Sequence, residues 1–78
     1  METLSHRAIA MLRAVAAGRA ELTRSCEPDL RVDHLCCCDQ SVTRLLVALG
    51  LVAPKCEGPV GTWVPAQLTP AGMHALAA

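Results

Sequence analysis

A chain of 78 residues has room for one domain spanning 1–78 and not for a second core. It is 53% apolar but 1% aromatic, and 7 Lys and Arg balance 7 Asp and Glu, which excludes a disordered polyelectrolyte. No charge-free stretch reaches about 18 consecutive apolar residues, and Arg7, Arg13 and Arg19 interrupt the opening segment. Neither a membrane span nor a secretory leader is therefore expected, and the chain reads as cytoplasmic.

Leu4 and Ser5 open the first element: Ser5 suits an N-cap, and Leu4 can staple onto Ile9. Ala8, Met11, Leu12 and Val15 follow at helical spacing and Gly18 supplies a stop, so the pattern predicts a helix over 5–17. Residues 20–23 alternate as a short strand does. Over 29–35 two readings stay open: Leu30, Arg31, Val32 and Asp33 alternate with period two, while Leu30, Val32 and Leu35 also fit one side of a short helix. Asp39 reads as the N-cap of a second long helix, 39–49, in which Val42, Leu45, Leu46 and Leu49 form the stripe to be buried and after which Gly50 ends the pattern. Leu51, Val52, Trp63 and Val64 flank a turn-rich tip at 56–61. This predicts a hairpin that Pro54 and Pro65 confine to a sheet edge, with Trp63 closing the core beneath it. Thr69 and Pro70 repeat the opening of a helix, with Leu68 placed to staple onto Met73, and a short last helix runs to Leu76.

Several of these residues carry a resemblance. Val32, Cys36, Val42 and Leu45 stand at the spacing of a helix-turn-helix core. The run Gln40-Ser41-Val42-Thr43-Arg44-Leu45, then Leu49-Gly50-Leu51-Val52 and Leu68-Thr69-Pro70-Ala71-Gly72, is similar to the end of many bacterial winged-helix regulators. It also resembles short proteins of actinobacteria and their phages. The resemblance covers about half the chain and departs from the family at the turn, where Cys36 replaces the usual Gly. It implies a small α+β, mainly α, winged-helix-like domain: helix, short strand, helix-turn-helix candidate, hairpin wing and short C-terminal helix. It further implies a transcriptional regulator that binds double-stranded DNA with the 39–49 helix in a major groove. Gln40, Thr43, Arg44 and Val47 would then face outward, Gln40 and Arg44 pairing with base edges. Ser41 would meet a phosphate at the helix start, and Lys55 the neighbouring backbone.

Charge pulls the other way. The net charge is zero and residues 27–57 are net acidic, whereas phosphate neutralisation supplies most non-specific affinity for DNA. A second reading therefore keeps the fold but makes it a protein–protein interaction module. Residues 58–78 hold no Asp, Glu, Lys or Arg and need a cover, either the first helix of the same chain or a second copy, which predicts self-association through the first and last helices.

The 5 Cys suggest a third reading, a thiolate metal or redox sensor. Metal-sensing winged-helix repressors carry close cysteines in a similar place, but the adjacent Cys36, Cys37 and Cys38 lack zinc-ligand spacing, and Cys26, Cys56 and His34 would have to complete the set. The favoured reading is thiols acting as small hydrophobes, with no metal and no cofactor. No phosphate loop, nucleophile triad or carboxylate pair stands out in the sequence, so an enzyme is not expected.

Overall fold

Ser5 starts the first helix as its residue type predicts: its Oγ accepts the Ala8 N–H at 3.2 Å, and helix α1 runs His6–Ala16. The computed structural model describes residues 4–25, 28–36 and 40–77. Ala8, Met11, Leu12 and Val15 are the buried stripe of α1, and Leu4 and Ile9 pack beside it. Gly18, at φ +77°, reverses the chain, while the Gly18 and Arg19 amides cap the Val15 and Ala14 carbonyls at 3.0 and 3.1 Å.

Strand β1 (Ala20–Thr23) alternates between buried and half-buried side chains. The segment that sequence left open then resolves as β structure. Strands β2 (Leu30–Val32) and β3 (Leu35–Cys36) form a hairpin whose two turn residues, Asp33 and His34, have φ of 52° and 67°. Positive φ at both central positions matches the right-handed twist of a two-residue hairpin. The first helix of the expected helix-turn-helix therefore does not form. Pairing Arg31 with Glu21 on β1 sends Leu30 into the core.

Helix α2 covers Gln40–Ala48, and Gly50 at φ +72° ends it. Strands β4 (Val52–Pro54) and β5 (Trp63–Leu68) make the predicted hairpin, and helix α3 (Pro70–Ala77) follows. Among the described residues the five strands form one antiparallel sheet in the order β3-β2-β1-β5-β4, so the result is a small α+β domain. Pro54 does lie on an edge strand, but Pro65 does not, because β5 is flanked by both β1 and β4. An interior proline is tolerated here because position 65 faces Lys55, just past the end of β4. There the Pro65 carbonyl still accepts the Lys55 N–H at 2.8 Å.

The core lies on the sheet face that carries Ala20, Leu22, Leu30, Val52 and Ala66, against Leu12 and Val15 of α1 and Leu46 of α2. Trp63 is not part of it. Strand alternation turns Val64 and Ala66 inward and Trp63 to the opposite face, where it is half-buried under the Arg31 guanidinium, 4.4 Å from the ring centroid. Thr69 caps α3 by accepting the Gly72 N–H at 3.0 Å, and its hydroxyl donates to the Gly50 carbonyl at 2.5 Å. Ala75 and Leu76 pack onto the core and α3 touches α1, so the first helix of the same chain covers part of the charge-free terminal segment. Met73 remains 57% exposed. Among the described residues, no helix is long and apolar enough to cross a membrane.

Candidate functional site

The expected contact element forms, but it is rotated about its axis relative to the sequence reading. Thr43 (2% exposed) and Leu46 are the buried residues of α2, with Val42 and Val47 half-buried against the core. The stripe predicted to be buried included Leu45 and Leu49, yet these are 49% and 53% exposed. Both sets have helical spacing, since 43, 46 and 47 fit an i, i+3, i+4 pattern as well as 42, 45 and 46 do. The two ends of the helix choose between them. At the start, Gln40 is tied to β2; at the finish, the Leu51 amide closes onto the Leu46 carbonyl at 3.0 Å, and Leu51 in turn holds Thr69.

The individual site residues separate accordingly. The Gln40 carboxamide accepts the Leu30 N–H at 3.0 Å and donates to the Leu30 carbonyl at 3.2 Å. It thus acts as a peptide group that continues the β2 ladder where β3 has ended, and both of its polar ends face the sheet. Thr43 does not face outward as expected: its hydroxyl lies 3.9 Å from the Met11 sulfur, inside the α1–α2 contact. Val47 likewise packs inward. Ser41 is exposed, and Arg44 is exposed but bound to Asp29 at 3.2 Å. Lys55 is exposed elsewhere, along a depression it shares with Val15, Gly18 and Met73. The hairpin tip is pinned as well, because Arg24 exchanges backbone hydrogen bonds with Thr62 at 2.9 Å and Gly61 at 2.7 Å.

What sequence reasoning missed is therefore a row of Ser41, Leu45, Ala48 and Leu49 on the outside of α2. Its only signal was the second helical periodicity, carried by a threonine that reads as polar. The expected helix cap Asp39, the thiols of Cys26, Cys37 and Cys38, and the side chain of Cys36 lie outside the described residues. Cys56 is exposed and free, so it is not the small core hydrophobe expected of the cysteines. Among the described residues, no three His, Cys, Asp or Glu side chains are grouped to hold a metal ion.

A second polar cluster lies at the β2–β3 turn. Arg31 Nε bonds Glu21 at 2.8 Å, and Arg19 Nε bonds Asp33 at 3.1 Å. Both carboxylates are held below their usual pKa, Glu21 chiefly by the hydrogen bond from Arg31 and Asp33 by that from Arg19. A depressed folded-state pKa contributes stability that is complete above the ordinary carboxylate range near about pH 4. That stability is lost as pH falls through the folded value. The double variant Glu21→Gln, Asp33→Asn should unfold at lower urea than wild type at pH 7, and the gap should close below about pH 4. A gap independent of pH would remove the ion pairs as its cause.

Comparison of the chain with protein-family models, curated proteins and solved structures found no match.

Proposed function

We propose that the chain is a protein–protein interaction module on a winged-helix-like scaffold, with α2 as its contact element. The carrying observation is the outward row of α2, where two half-exposed leucines alternate with serine and alanine and the one charged group, Arg44, is already engaged by Asp29. Such a row suits an apolar partner surface, with the ion pair at its rim. A groove of nucleic acid wants hydrogen-bonding and cationic side chains instead. Of the residues suited to base contact, Gln40 is committed to Leu30 and Thr43 to the core.

DNA binding is the second reading. It is supported by the helix α2 followed by the β4–β5 hairpin, with β5 beside β1, although the β2–β3 hairpin stands where a winged-helix domain has a helix, and by the exposed Ser41 and Arg44 on α2. Fold analogy alone does not assign a function.

A photo-crosslinking amino acid placed at position 45 or 49 of the full chain, expressed in its native cell, separates the two. The interaction reading expects protein adducts from both positions and none from position 13, on the exposed side of α1. DNA binding expects no protein adducts, together with retention of the chain on random-sequence duplex DNA that falls steeply with salt and is reduced by Arg44→Ala. That second pattern would overturn the interaction reading.

A further inference from the structure

We propose that the occupant of the α2 face is a second copy of this chain, docked with its own α2 antiparallel to the first. This rests on the interaction reading above and adds the identity of the partner. A two-fold interface must be self-complementary, because the same patch serves both sides. The outward row meets that demand in size. Running two α2 helices antiparallel about Leu45 sets Leu49 of each copy opposite Ser41 of the other, a large side chain against a small one, with Leu45 against Leu45 at the axis.

Charge complementarity points the same way. Antiparallel helices place each positive N-terminal end beside a negative C-terminal end. Arg44 and Asp29, about half-exposed at the rim of the row, present one charge of each sign, so a two-fold copy can exchange the pair without leaving a charge unmatched. α2 carries no other charged side chain, and the chain's formal net charge is zero, so two copies approach without repulsion.

The contact is small. Helix α2 has 9 residues, about 14 Å of axis at about 1.5 Å per residue. A face of that size sits at the low end for a specific interface, so the expected state is a reversible dimer with a dissociation constant on the order of 10–100 µM rather than an obligate one.

Sedimentation equilibrium of the full chain under reducing conditions, from about 1 to 500 µM to bracket that constant, should show a monomer–dimer equilibrium. The double variant Leu45→Glu, Leu49→Glu alters only exposed positions and so keeps the fold. It should weaken dimerisation at least about tenfold, since like charges are then brought together across the axis. A wild-type chain that is monomeric throughout, or a variant that dimerises unchanged, overturns the proposal. The crosslinker at position 45 separates the two levels of inference. Adducts of twice the chain mass support the second copy. Adducts only to a different protein overturn self-association and leave the interaction reading standing. No protein adduct overturns both.

Discussion

Gly72→Ala should be the most destabilising small substitution in the chain, lowering stability by about 3 kcal/mol or more, although helix propensity alone predicts a gain of about 1 kcal/mol. Gly72 is buried within α3, and a Cβ there would overlap the Leu51 carbonyl oxygen and stand 3.0 Å from its carbon. The obstacle is backbone, so no rotamer change relieves it. Either α3 lifts away or Leu51 moves, and Leu51 is fixed by the Thr69 amide at 3.1 Å and by its own amide on Leu46 at 3.0 Å. Lifting α3 uncovers Ala75, Leu76 and the neighbouring core. In a domain whose whole stability is of the order of 5–15 kcal/mol, or less at this size, that is a large fraction. Gly61→Ala is the control: it has positive φ (+88°) but nothing within 4 Å of the added Cβ, so it should cost only about 1–2 kcal/mol of backbone strain. Urea midpoints of the two variants decide the matter, and a rise in midpoint for Gly72→Ala would contradict the packing described.

The neighbouring pair Thr43 and Arg44 gives the second large effect. Thr43→Lys places an ammonium at a site that is 2% exposed, beside Met11 and Leu46 of the core cluster, and should cost about 3–5 kcal/mol or abolish cooperative unfolding altogether. Arg44→Ala removes an exposed ion pair from the same helix and should change stability by about 1 kcal/mol at most. If α2 instead buried the face that sequence periodicity favoured, the difference would disappear: lysine at 43 would point to water, as Arg44 does, and be tolerated. Far-UV circular dichroism and urea melts of both variants test the rotation of α2 directly, independently of any partner.

The fourfold spacing of apolar residues, the caps and the turn glycines were enough to define α1, the extent of α2, the β4–β5 hairpin and α3. These are local decisions: Ser5 caps the third amide after it, Thr69 does the same for Gly72, and Gly18 and Gly50 take the positive φ that ends each longer helix. Even the Asp33-His34 turn was within reach in principle, since aspartate tolerates positive φ, although the pair lacks the glycine that marks most turns of this kind. Over so few residues, the alternation of Leu30, Arg31 and Val32 was matched by a helical alternative.

What sequence by itself determined was therefore where the chain bends and which segments have an apolar side. For α1 the buried side, Ala8, Met11, Leu12 and Val15, was also legible in the sequence, whereas for α2 tertiary structure alone decided it. β1 supplied the partner that made 30–36 a hairpin, and pairing on both flanks moved β5, with Pro65 and Trp63, from an edge to the interior of the sheet. The rotation of α2 was set from outside the helix, by Gln40 bonding Leu30 at one end and Leu51 holding Thr69 at the other. The physical reason is that caps and turns are settled by interactions within a few residues, whereas a helix with two usable apolar faces has nearly equal energy in either rotation until distant strands close on one of them. That choice left Leu45 and Leu49 in water, and the proposed function rests on it.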